Sequence, residues 1–221
     1  MQIQIFVDTI CGWCFIGSQR LISTIQKINQ NFEVIYVPFQ LNPDMLKQGM
    51  ERTEYIKNKF GSLENAKPMY DNMTQEGKKE NLQLKLNLIK NTPNTVASHI
   101  LIDLARKEKV QKEVVYNIFS DYFEKGVDIG DEDNLIKIGK NHGIKEDILR
   151  DEMSSLEKIN KVSKMDAIGR KMGITGVPFY IFNEKILLSG AQPAEAILKA
   201  IEEAQRKQKK NLKPRLRIKN L

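Results

Sequence analysis

Two periodicities alternate over the first forty residues. Ile3-Gln4-Ile5-Phe6-Val7 is a short β-branched run bounded by Asp8 and Thr9, and it reads as a strand. Leu21, Ile22, Ile25 and Ile28 then recur at helical spacing, and Phe32-Glu33-Val34-Ile35-Tyr36-Val37-Pro38-Phe39 supplies a second strand ending around Pro38. Strand, helix and strand in this order predict a βαβ unit with a parallel pair.

From Asn42 to about Met172 the pattern is mostly helical. Helices are expected over 53–60, stopping at Gly61, and from Ser62 towards Gly77, with Pro68 limiting or kinking the second. The stretch 82–88 alternates leucines with polar residues at period two and predicts an extended segment. Helical spacing resumes after Asn94 or Thr95 through Lys107, at 111–125 before Gly126, at 131–141 before Gly143, and at 145–152. Ser154-Ser155-Leu156-Glu157 has capping-box spacing and opens a helix towards Gly173. Strands return at 179–182 and 186–188, with a tight turn around Asn183-Glu184, and Pro193 heads a final helix carrying Ile197, Ile201 and Ala204 on one face.

This order predicts an α/β protein: a small mixed sheet built from both ends of the chain, with a large helical domain inserted between its βαβ and ββα halves. The expected division is a discontinuous domain over 1–42 and 173–205, a helical insertion over 43–172, and a basic C-terminal tail over 206–221. With 221 residues, 41% of them hydrophobic, the chain can bury a substantial core. It contains no apolar run near the roughly 18 residues of a membrane span, and no charged segment followed by an apolar leader at its start, so a cytoplasmic protein is expected. The net charge of +7 belongs to the tail: without its eight lysines and arginines the rest carries 27 basic against 28 acidic residues. The tail is read as a solvated extension, with a contact to nucleic acid, a membrane surface or a partner as the alternative, although nucleic acid is not the expected partner; Arg215-Leu216-Arg217-Ile218 alternates like a strand that could meet a sheet edge.

The chain has two cysteines, and both lie in Cys11-Gly12-Trp13-Cys14, where the first strand gives way to the first helix. At a helix entrance Cys11 meets unpaired backbone N–H groups and the positive end of the macrodipole, and both favour a thiolate. Cys14, less than one turn on, can reach back and close a small disulfide ring. That is a nucleophile with a resolving partner: Cys11 forms a mixed disulfide and Cys14 resolves it, with no prosthetic group and only an electron-exchange partner required. Half of a structural zinc site is the competing reading. It normally needs four ligands, and the only histidines, His99 and His142, have the wrong spacing. His99 lies off the apolar stripe of its helix, beside Asp103 and Arg106, and is expected to be solvated or capping, with a place above Cys11 as the alternative. The acidic stretch 128–133 fails calcium-loop spacing and reads as a loop and helix cap.

Four stretches together are similar to the DsbA-like thioredoxin superfamily, and within it to the FrnE-type branch. They are Cys11-Gly12-Trp13-Cys14-Phe15-Ile16-Gly17, Asn91-Thr92 with His99, Gly173-Ile174-Thr175-Gly176-Val177-Pro178-Phe179-Tyr180, and Ser189-Gly190-Ala191-Gln192-Pro193. The resemblance implies a thioredoxin fold and thiol–disulfide oxidoreductase activity on protein or small-molecule disulfides. It also implies a cis peptide at Val177–Pro178, a loop there that lies against the Cys11 sulfur and pairs with substrate backbone, and an unidentified redox partner. Trp13, Val177 and Pro178 are accordingly the candidate substrate contacts beside catalytic Cys11 and Cys14. Gly12 stands where this branch often has proline. Kappa-class glutathione transferases and 2-hydroxychromene-2-carboxylate isomerases share the architecture, which makes a glutathione-dependent enzyme the alternative. They typically carry serine in place of Cys11. A redox-independent peptide-binding module is the third reading.

Overall fold

The structure, a computed structural model, describes residues 1–212. The segment Arg215–Ile218, read above as a possible edge strand, lies outside the described residues. Strand β1 (Gln2–Val7) leads into helix α1 (Gly12–Ile25) and β2 (Glu33–Pro38); near the other end come β5 (Phe179–Phe182), β6 (Ile186–Ser189) and α9 (Ala194–Leu212). The four strands form one sheet in the order β2-β1-β5-β6. β1 runs parallel to β2, with Ile5 opposite Tyr36, and antiparallel to β5, with Ile5 opposite Tyr180.

β1 is central; Ile3, Ile5 and Val7 make one face apolar throughout, while the other carries the half-buried Gln2 and Gln4 before the buried Phe6. Ile3, Ile5 and Val7 join the larger core together with Leu21 of α1 and Ile197 and Ile201 of α9. Phe6 points the other way, into a smaller cluster with Ile35, Val37, Phe39 and Ile181. The hairpin between β5 and β6 turns on Asn183 and Glu184, both at positive φ (46° and 61°), with the Lys185 amide bonded to the Phe182 carbonyl at 3.1 Å. This is the mirror-image turn that suits the twist of paired strands.

Between the two halves run a short β3 (Met50–Glu51), α2 (Arg52–Phe60), α3 (Leu63–Lys79), β4 (Asn91–Thr92), α4 (Val96–Lys107), α5 (Gln111–Lys125), α6 (Glu132–Asn141), α7 (Glu146–Ser154) and α8 (Leu156–Lys171). Helix α4 is the hub: Ser98, His99, Ile100, Leu101, Ile102, Leu104 and Ala105 are all buried, so its interior side is far wider than one stripe. Gly126 ends α5 in the left-handed conformation (φ 69°). Among the described residues no helix is long and apolar enough to cross a membrane.

Two local expectations are corrected and one open alternative is resolved. The 82–88 stretch is no strand, although its alternation is real: Leu82 and Leu84 are buried. Its amides find other partners, Gln83 the Glu124 carboxylate (2.8 Å) and Lys85 the Phe123 carbonyl (2.7 Å), and Leu86–Leu88 closes as a 3₁₀ turn. The Ser154–Glu157 capping box does not form. Ser155 is the N-cap of α8 with no side-chain bond, and the Ser154 hydroxyl donates backwards to the Asp151 carbonyl (3.1 Å), closing α7. Asn94, rather than Thr95, caps α4 with its side chain, accepting the Val96 amide at 2.9 Å.

Candidate functional site

Cys11 is the N-cap of α1, with extended backbone (φ −95°, ψ 106°); its carbonyl accepts the amides of Cys14 (2.9 Å) and Phe15 (3.2 Å). Its side chain adds no cap bond, so the sulfur stands at the open N-terminus of the helix. The Cys11 thiol donates to the Val177 carbonyl at 3.5 Å. The peptide joining Val177 to Pro178 is cis, and the Pro178 carbonyl in turn accepts the Gly190 amide (2.8 Å). Residues 166 apart in sequence therefore meet at the sulfur, because β1 and β5 are direct neighbours in the sheet.

The two thiols differ in their surroundings. Both are free; Cys11 retains 7% of its surface and Cys14 none. Burial pushes the Cys14 thiol well above its ordinary range, the hydrogen bond with Cys11 and Cys11's charge add to this, and the Asp8 N–H opposes it. Trp13 between them is half-buried and packs against the main core.

Two glycines decide how closely other elements approach the dithiol. A β-carbon on Gly12 would stand 2.3 Å from the Met73 sulfur of α3. One on Gly17 would stand 2.3 Å from the Tyr180 hydroxyl and 2.8 Å from the Pro178 ring, which is what lets α1 lie against β5 and the Val177–Pro178 loop. In the sequence Gly17 stands inside a helical pattern, where an interior glycine is the one local signal of a close approach.

Arg20, which no local pattern in the sequence singles out, is 8% exposed one turn below. Its guanidinium donates to Glu80 (2.5 Å), to Glu76 and to the Ala191 carbonyl (2.8 Å), joining α3 to the loop that carries Gly190. A three-way clamp of this kind holds both walls of the site to α1.

His99 departs from its expectation. It is completely buried rather than solvated, because α4 is packed on the side that its sequence marks as polar. Its Nε2 lies 3.7 Å from an Asp8 carboxylate oxygen, and neither ring nitrogen has a hydrogen-bond partner. Next to it Ser98 bonds Thr9 (2.8 Å), the residue after Asp8. His142 is elsewhere, with Nε2 3.0 Å from Asn117. The acidic 128–133 stretch is a turn and cap: Asp128 accepts the Gly130 amide and Asp131 the Asp133 amide.

The site thus brings Cys11, Cys14, Val177 and Pro178 together, while Trp13 packs at its side. The sequence profile of the DSBA-like thioredoxin domain matches residues 2–202. Among solved structures, a probable DsbA oxidoreductase from Streptomyces coelicolor superimposes with a TM-score of 0.84 at 23% identity, over 93% of this chain and 90% of that one. A 2-hydroxychromene-2-carboxylate isomerase follows at TM-score 0.71 and 12% identity, over 96% and 99% of the two chains. The cytosolic disulfide reductase DsbM from Pseudomonas aeruginosa, solved with GSH, gives 0.59 at 12% identity over 96% and 100%. No curated protein matches the sequence.

Proposed function

Because this chain belongs to the DSBA-like thioredoxin family, we propose that it is a thiol–disulfide oxidoreductase whose working groups are Cys11 and Cys14. The observation that carries this reading is the asymmetry of the pair. Cys11 sits at a helix N-terminus beside the Val177 carbonyl, while Cys14 is sealed beneath it with its proton held.

In the reducing direction the Cys11 sulfur attacks a substrate disulfide. A Cys11–substrate S–S bond forms, the substrate S–S bond breaks, and the distal substrate sulfur leaves as a thiolate. Cys14 then gives up its proton and attacks the Cys11 sulfur. The Cys11–Cys14 bond forms, the second substrate thiol departs, and the protein has lost the two electrons the substrate gained. An external dithiol restores the reduced pair; run backwards with an external disulfide, the same steps oxidise substrate thiols. Val177 and Pro178 form the wall against which the substrate backbone lies, and Trp13 adds an apolar contact beside it. We place the protein with the FrnE-type branch and in the cytoplasm, acting on protein or peptide disulfides.

Insulin reduction by dithiothreitol tests this: the native protein accelerates it and Cys11→Ser does not. The likeness to the isomerase supports a second reading, a glutathione-dependent transfer or isomerisation. Activity that requires glutathione and survives replacement of both cysteines would select that reading and overturn the first.

A further inference from the structure

The dithiol occupies one end of α1; another side of the helix borders a cavity. It lies between α1 and α5, has a volume of about 270 Å³, and is lined by neither cysteine nor the Val177–Pro178 loop. Its walls are largely aromatic: Phe15 from α1, Tyr36 from β2, and Tyr116 and Phe119 from α5, with Val115 beside them. Phe15 and Phe119 stack with ring centroids 5.3 Å apart, and Tyr116 meets Phe15 edge-on at 5.7 Å. These side chains are buried except that of Tyr116, which is 44% exposed and marks the open side.

One polar group among these rings is left open. Ser18 is 5% exposed and lines the cavity, and its hydroxyl has no hydrogen-bond partner among the described residues. A hydroxyl inside a helix can donate to the carbonyl four residues back, as Thr24 of the same helix does to Arg20 at 2.7 Å. Ser18 does not. The Tyr36 phenol lies beside it without the alignment of a hydrogen bond; burial pushes that phenol up to about 12, so it keeps a proton to donate. An unsatisfied buried hydroxyl costs free energy and calls for a reason. The rim carries Lys112 and Glu113, which are opposite in charge, and the His142 imidazole, already engaged by Asn117 at 3.0 Å.

We propose that this cavity binds a small neutral aromatic molecule of two fused rings bearing one hydroxyl or carbonyl, whose polar group meets Ser18 and Tyr36. Size sets the number of rings: an apolar cavity of about 150 Å³ already takes up benzene, and this one is larger. Stacked and edge-on walls favour a flat ring system over an alkyl chain. The balanced rim gives a net charge no partner. None of the redox residues takes part, so this site and the thiol–disulfide reading stand or fall separately.

Two probes test it: 2-naphthol, and naphthalene as the same rings without the hydroxyl. Each is titrated into the full-length reduced protein and followed by ¹H–¹⁵N NMR. Both are expected to shift amide signals of residues 15–22 and 115–119 in a saturable way. Ser18→Ala is expected to weaken 2-naphthol about three- to tenfold and to leave naphthalene within about twofold. No saturable shift with 2-naphthol, or shifts centred on Trp13 and Val177 instead, overturns the proposal. Unchanged 2-naphthol affinity in Ser18→Ala does so too, as does equal weakening of both probes, which is altered packing alone. Should Ser18→Ala fail to fold, Tyr36→Phe is read by the same criteria. Signals of 15–22 and 115–119 that move with protein concentration and with neither probe would assign this face to a second copy of the chain, and also overturn it.

Discussion

Gly17 and Tyr180 are in such close apposition that a β-carbon on the glycine would stand 2.3 Å from the phenolic oxygen. The tyrosine cannot withdraw easily. It is completely buried, and its strand is paired on both sides by β1 and β6. Gly17→Ala gains about 1 kcal/mol of helix propensity. It is nevertheless expected to lose about 1–3 kcal/mol net by overpacking. Urea denaturation of the reduced proteins measures this, and a variant as stable as native would mean that α1 can shift away from β5.

The two cysteines are expected to fail differently. Cys11→Ser should reduce insulin-reduction turnover to the uncatalysed background. Cys14→Ser should form mixed disulfides at Cys11 and hold them, since the resolving sulfur is gone. Non-reducing electrophoresis and intact mass of the protein after exposure to a cysteinyl peptide disulfide would show the adduct in Cys14→Ser and not in Cys11→Ser.

Burial raises the Cys14 thiol well above its ordinary value of 9.0. The sign of its effect on stability follows: the folded state keeps a proton that the unfolded chain gives up. This contribution is fully present below the ordinary thiol range and is lost as pH rises through the higher folded value. Thermal melts should therefore show the reduced protein losing stability above about pH 9 relative to Cys14→Ala, which has no such thiol. In the same range iodoacetamide should modify Cys11 and spare Cys14 in the native state. Equal labelling of both would contradict the sealed position.

Arg20 predicts an acid effect of opposite sign. Hydrogen bonds from Lys79 and then from Arg20 hold the Glu76 carboxyl below its ordinary 4.5. The stabilisation is present above that value and is lost as pH falls through the lower folded value. Arg20→Met is expected to cost about 2–4 kcal/mol at neutral pH, somewhat under the figure for a fully enclosed pair because solvent reaches both glutamates. It should also flatten the acid limb of the stability curve. A variant with native stability and a native acid limb would remove the clamp from the account.

The sequence marked the sheet and the dithiol because both are written in short-range signals. The apolar runs at 3–7 and 32–39, the turn at Asn183-Glu184 and the C-x-x-C at the first strand-to-helix junction each need only their neighbours to be read. Gly126 likewise fixed the end of α5. The burial of His99 is not legible in the sequence because it depends on what covers the second side of α4, a matter of packing between segments distant in sequence. The two-residue strands β3 and β4 are too short to carry a period, and 82–88 carried one without a strand partner. Arg20 and Gly17 looked ordinary because their partners, Glu76, Glu80 and Ala191 in one case and Tyr180 and Pro178 in the other, come from far along the chain.

β1 lies between β2, which follows it closely, and β5, which comes from the far end of the chain. On a ribosome, therefore, the dithiol emerges early while its opposite wall is still unmade. One edge of β1, and the face of α1 that Tyr180 and Pro178 later occupy, stay open until residues 177–189 have been synthesised. Throughout that interval Cys14 lacks the enclosure that keeps it protonated in the finished protein. The nascent chain is accordingly more open to unwanted oxidation than the finished protein, and β5 and β6, made long after the dithiol, bring its chemistry under control.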